Sequence, residues 1–182
     1  LEGVGDNRAF RVNLLCTALT ALAIYNLHRA LRLFTGSGPA ALMGAGMYGL
    51  SPLIWNNALQ AEVFALNNLF VSLLTHILVR YLTRRREGDN SWAYAGAFLS
   101  GLSLTNQHTL LLYLAIIVPT VFWSGRSRLL RPLPFLACTL LFCVGLLPYS
   151  HMWLIQGCPV PWAHEEDVHM GHKYCPQLEM VP

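Results

Sequence analysis

Six apolar runs follow one another along the chain, near residues 10–27, 39–55, 62–82, 91–104, 108–123 and 133–150, with almost no amphipathic segment between them. A helix at a water interface needs a polar face, so a fold built from such runs has nothing with which to cover itself in water. A bilayer is the solvent they suit, and within it the backbone is satisfied only by helices or closed barrels. Composition agrees: 54% of the residues are hydrophobic and 12% are charged, where an ordinary soluble domain carries about a quarter charged. The expected fold is all-α, a polytopic membrane helix bundle of about six spans over residues 1–150, with a poorly ordered lumenal tail over 151–182.

Turn chemistry marks the divisions. TGSGP at 35–39 and EGDN at 87–90 interrupt the apolar pattern, and Pro132 with Pro134 opens the last run. Ala41, Ala45 and Gly49, and again Gly96 and Ser100, recur at intervals of four, the spacing that lets neighbouring membrane helices approach closely. Pro119 falls inside the fifth run and is expected to kink it, and His76 in mid-span is expected to make an interhelical hydrogen bond.

The arginines set the orientation. Arg29 and Arg32, then Arg80, Arg84, Arg85 and Arg86, then Arg126, Arg128 and Arg131 occupy alternate loops, and these are nine of the twelve basic residues. With six spans those loops share a side, and the positive-inside rule makes it cytosolic. Basic residues in small clusters between apolar runs are a topological signal, not a groove-binding patch, so no nucleic-acid partner is expected. Arg8 and Arg11 depart from the pattern at the lumenal end of the first span and are candidates for meeting an anionic headgroup or phosphate.

The chain starts LEGVGDNRAF and passes into an apolar run without an initiator Met or a cleavage site, and so reads as a fragment. Cys16, Cys138 and Cys143 lie in apolar runs as small hydrophobes; only Cys158 and Cys175, in the tail, are placed to pair, and only in an oxidising lumen. With His164, His169 and His172 those two cysteines match no ordinary zinc spacing, and no metal is expected. A phosphate-binding glycine loop and a serine nucleophile elbow are both missing from the sequence.

The side chains able to do chemistry gather in the two lumenal turns. One holds Asn56, Asn57, Gln60, Glu62, Asn67 and Asn68; the other holds Asn106, Gln107 and His108. Glu62 is the sole acid between Asp6 and Glu87. Ionisable groups at membrane depth usually face a bundle interior or wet cavity, although a carboxylate in a first helical turn also complements the helix dipole. Asn106, Gln107 and His108 are open to two roles, capping the turn or binding a polar ligand.

At these residues a family resemblance emerges. FRVNLLC at 10–16, AEVFALNNLFVSLL at 61–74, GLSLTNQHTLLLY at 101–113 and GLLPY at 145–149 resemble, in order, the transmembrane protein 260 family of endoplasmic reticulum protein O-mannosyltransferases. The resemblance implies a fragment of a multi-spanning transferase of the GT-C class. Such an enzyme takes mannose from dolichyl-phosphate-mannose and passes it to Ser or Thr hydroxyls. The implied acceptors are immunoglobulin-like plexin and transcription-factor domains in the ectodomains of plexins and receptor tyrosine kinases. No cofactor in the chain is implied, and the lipid-linked donor is a substrate. Arg11, Asn57, Asn106, Gln107 and His108 would then bind the donor phosphate or sugar, and Glu62 would orient a hydroxyl or act in acid–base transfer. The family's acidic motif of GDSGE type, whose aspartate is the expected base, has no counterpart here, because Gly5, Asp6 and Asn7 stand too close to the first span. The chain alone is therefore expected to be inactive. Beyond Tyr149 the resemblance ends, consistent with a divergent 151–182.

Two other readings compete. A transporter or channel subunit would show internal repeats and interrupted helices, and the three helix pairs show no repeat. A non-catalytic truncated isoform would differ from the transferase fragment only in lacking the acid motif.

Overall fold

A computed structural model of the protein describes residues 8–59, 63–83 and 90–150. It is all helical, with no strand among the described residues: α1 (Arg8–Thr35), α2 (Gly38–Gly49), α3 (Pro52–Leu59), α4 (Phe64–Thr83), α5 (Ser91–Asn106), α6 (Leu110–Leu129) and α7 (Pro132–Gly145). Among the described residues three helical segments are long and apolar enough to cross a bilayer by length and composition: Phe10–Thr35, Phe64–Thr83 and Pro132–Ser150. The tail over 151–182 lies outside the described residues.

The helices run up and down against one another. The TGSGP turn reverses the chain after α1: Gly36 takes φ +69°, the Ser37 hydroxyl accepts the Ala40 N–H at 3.4 Å, and Pro39 occupies the first turn of α2. From there α2 returns along α1, with Gly44 facing Leu31, Gly49 facing Ile24 and, further on, the Thr17 hydroxyl donating to Ala58 O at 3.1 Å. α4 rises beside α1. α5 descends against α4 with Gly96 on Ile77; α6 rises and α7 descends, joined by the tilted ring pair Phe122–Phe135.

Two features differ from the sequence expectation. The second apolar run is divided: α2 ends with Leu50 bonded back to Gly46 O, and a new helix begins at Pro52. Proline has no N–H to continue the ladder and its ring crowds the preceding turn, so it starts a helix more readily than it extends one. The twelve residues of α2 rise only about 18 Å, too short to cross alone. His76, in turn, makes its hydrogen bond within its own helix, accepting from Arg80 Nε at 3.2 Å, while the Arg80 guanidinium lies over the Trp92 ring.

Packing is inverted relative to a soluble core. The buried positions are mostly small, with Ala23, Ala30, Ala41, Ala45 and Ala65 all at or below 2% exposure, whereas Trp123 is 82% and Leu112 and Leu133 are 77% exposed. Small residues bring helix axes together where lipid competes equally for large side chains. The small-residue spacing read from the sequence is thus used as expected, with Ala41, Ala45 and Ser100 buried. The closest approach lies between α5 and α7, where a Cβ on Gly101 would stand 3.1 Å from Gly145 Cα and nearer still to Phe142 O. A small cluster of Leu74, Leu114 and Ile117 ties α4 to α6. Among the described residues Cys16, Cys138 and Cys143 form no disulfide.

Candidate functional site

Alternation of helix direction sends the polar turns to one end of the bundle and the arginine loops to the other. At the polar end lie the start of α1, the end of α3, the start of α4, the α5–α6 turn and residues 146–150 after α7. Arg29, Arg32, Arg80 and Arg131 belong to the opposite end, where Arg29 stacks over Tyr25 and Arg80 over Trp92.

The α5–α6 turn is built by its own backbone. Gln107 takes an extended conformation with φ −154° and ψ 125°, its N–H returns to Ser103 O, and the carbonyls of Gln107, His108 and Thr109 accept the first N–H groups leading into α6. The capping is therefore done by main chain, and Asn106 and His108 turn to tertiary partners instead. Asn106 reaches across to α4, its Nδ2 donating to Val63 O in a long contact of 3.4 Å. Val63 O also accepts the Asn67 N–H at 3.0 Å. His108 turns the other way, its Nε2 lying 2.7 Å from the Tyr149 hydroxyl.

Tyr149 reaches this point because of Pro148. Without an N–H, Pro148 ends the α-helical ladder of α7, and Leu147, Tyr149 and Ser150 tighten to bonds three residues back. The Tyr149 hydroxyl then donates to Leu104 O at 2.9 Å. No candidate role attaches to Tyr149 in the sequence; the only available signal is its place in GLLPY at 145–149.

Asn57 and Arg11 also lie toward this end. Asn57 is half-buried on α3, one residue before the Ala58 carbonyl that receives Thr17. Arg11 is exposed near the start of α1, six residues and about 9 Å of helix rise beyond Thr17 toward the same end. Glu62 and Gln60 lie outside the described residues; Val63, which Asn106 touches, is the first described residue after them. Among the described residues Asn67 Oδ1, Asn68 Nδ2 and Gln107 Oε1 are buried with no hydrogen-bond partner. Thr20 Oγ1, His28 Nδ1 and Asn90 Oδ1 are likewise unpartnered elsewhere in the bundle, so the three here leave hydrogen-bonding capacity at this end without singling it out. Amides, an imidazole and a phenol offer both donors and acceptors without net charge, the mixture that suits sugar hydroxyls.

Along the bundle from this end runs an apolar cavity of about 560 Å³ between α4, α5, α6 and α7. Leu104 and Leu111 line it near the polar turn, and Trp92 and Leu129 line it near the arginine end. Among the described residues no group of three or more His, Cys, Asp or Glu is placed to hold a metal ion. The residues Cys158, His164, His169, His172 and Cys175 lie outside them.

Comparison with known proteins adds an independent observation. Residues 1–130 match the family model described as the protein O-mannosyl-transferase TMEM260 N-terminal domain. The chain is 40% identical over 146 residues to the protein O-mannosyl-transferase TMEM260 of Mus musculus, covering 79% of the chain and 21% of that relative. It is 33% identical over 161 residues to the protein of the same name from Dictyostelium discoideum, covering 80% of the chain and 19% of the relative. The chain thus spans about a fifth of the length of these curated relatives. No solved structure matches it.

Proposed function

Because the chain belongs to the TMEM260 family of protein O-mannosyl-transferases, we propose that its polar end binds the sugar-phosphate head of a lipid-linked mannose donor. The reaction would be mannose transfer from dolichyl-phosphate-mannose to Ser or Thr hydroxyls of a protein acceptor, within a six-pass GT-C membrane domain. The acceptors in this reading are the immunoglobulin-like plexin and transcription-factor domains of plexins and receptor tyrosine kinases. The observation that carries it is the gathering of polar side chains at one end of the bundle, with Asn106 on Val63 O and His108 on Tyr149, beyond the Leu104 and Leu111 end of an apolar cavity. A polyprenyl phosphate sugar has the same division, with a hydroxyl-rich head and a hydrocarbon tail. Arg11 supplies positive charge toward the phosphate, and Glu62 orients a hydroxyl. The break between α2 and α3 is a feature a transporter would share, but family membership favours transfer.

A photoactivatable mannosyl phosphate lipid tests this reading. It is expected to label the segments around 57–68 and 104–110, and unlabelled dolichyl-phosphate-mannose is expected to compete. Labelling confined to the arginine end would remove the proposed site.

Sidedness is tested separately. In this reading the protein lies in the endoplasmic reticulum membrane with its arginine loops cytosolic. N-glycosylation tags inserted beside Gln107 are expected to be modified and those beside Arg85 are not. The reverse pattern would turn the bundle over and place the site in the wrong compartment for a lumenal acceptor.

A further inference from the structure

The Tyr149 hydroxyl has two neighbours, Leu104 O at 2.9 Å and His108 Nε2 at 2.7 Å, and the two rings are tilted by 51° with centroids 5.7 Å apart. A phenol has one proton to give. The Leu104 carbonyl can only accept, so that proton belongs to Leu104 O. The second contact then requires a proton on Nε2 of His108, donated to the phenol oxygen. A neutral imidazole carries a single N–H, so Nδ1 is left as a lone-pair acceptor.

We propose that Tyr149 is a positioning residue that fixes His108 as a hydrogen-bond acceptor at Nδ1, so that His108 receives a substrate hydroxyl and not the phosphate. A phosphate offers only acceptor oxygens and needs donors, whereas a sugar or serine hydroxyl has a proton to give. Among the groups at this end, the division of labour follows: Arg11 is suited to the phosphate and His108 to a hydroxyl. This deepens the reading of the polar end as a donor site and rests on it for the identity of the ligand, while the tautomer itself rests on the two distances alone.

The tautomer can be read directly. In the full chain labelled with ¹⁵N-histidine, in lipid bilayers at pH 8, the His108 signals are identified by their loss in His108→Gln. The wild type is expected to show one tautomer, protonated at Nε2 and bare at Nδ1. Tyr149→Phe, which keeps the ring and removes the hydroxyl, is expected to give a mixture of tautomers. A proton on Nδ1 in the wild type, or coincident spectra for the two proteins, would overturn the positioning role; a purely structural contribution of the ring would not separate them.

Binding of two probes, dolichyl phosphate and its mannosyl derivative, tests the hydroxyl. His108→Ala is expected to weaken the mannosyl lipid about tenfold, the effect of one lost hydrogen bond, and to leave the bare phosphate lipid within about twofold. Equal weakening of both would assign His108 to the phosphate and overturn the proposal. Unchanged binding of both with slower transfer in a full-length family protein carrying this segment would place the hydroxyl on the acceptor protein, and unchanged binding and transfer there would overturn it. Failure of the wild type to bind either probe would sink the donor reading and the hydroxyl assignment with it, and the tautomer result would stand apart.

Discussion

Gly101→Leu and Gly145→Leu are each expected to destabilise the bundle by about 3 kcal/mol, the upper part of the range for overpacking a close contact. A Cβ on Gly101 runs into Phe142 O and stands 3.1 Å from Gly145 Cα, and one on Gly145 runs into Phe98 O and stands 2.8 Å from Leu102 N. The obstacles are backbone atoms, which no rotamer change can move aside, so α5 and α7 must separate. That separation also carries Tyr149 away from Leu104 and His108, since α7 delivers the one and α5 the others. Unfolding midpoints in mixed detergent would measure the loss. Gly46 is the internal control: a Cβ there meets nothing within 4 Å, and Gly46→Ala in mid-helix is expected to stabilise by up to about 1 kcal/mol. A Gly101→Leu protein that unfolds at the wild-type midpoint would mean that α5 and α7 are not in backbone contact.

Substitution at the polar end is expected to fall on transfer and not on folding. In a full-length family protein carrying this segment, Glu62→Gln keeps the shape of the side chain and removes its charge. If Glu62 orients or deprotonates a hydroxyl, the transfer rate falls by roughly 10²-fold or more, the lower bound for a positioned acid–base group. His108→Ala removes one hydrogen bond and is expected to cost about tenfold, near 1.4 kcal/mol. Initial rates of mannose transfer from the lipid donor, read beside the unfolding midpoint of each variant, separate chemistry from stability. Wild-type rates in both variants would exclude these residues from the mechanism, and an equal fall in midpoint would reassign them to helix packing.

The helical class and the position of the turns were legible because they depend on local chemistry. Apolar run length, the TGSGP turn and the Pro132 start all act within a few residues, and the helices begin and end near them. The division of the second run was signalled by Ser51–Pro52 but is masked by hydropathy, which continues unchanged across the break. His76 shows the same limit from another side. Its need for a partner was evident, but whether that partner is on its own helix depends on where the Arg80 side chain turns, and Trp92 on α5 draws it there. For the candidate site, Asn106, Gln107 and His108 stood out as polar residues among apolar ones, while Tyr149 did not. A tyrosine at the end of an apolar helix is ordinary in a membrane protein, and only its hydrogen bonds distinguish it.

Composition and periodicity by themselves determined that this chain is helical, that it favours a bilayer over water, and that its arginines and its amides lie in alternating turns. Those properties are sums over local residues and the surrounding solvent, and they need no knowledge of which helix touches which. The tertiary structure alone decided that α5 and α7 meet at two glycines and that Tyr149 therefore closes on Leu104 and His108. Contacts between residues some forty positions apart depend on helix rotation and close approach, and a linear pattern carries neither.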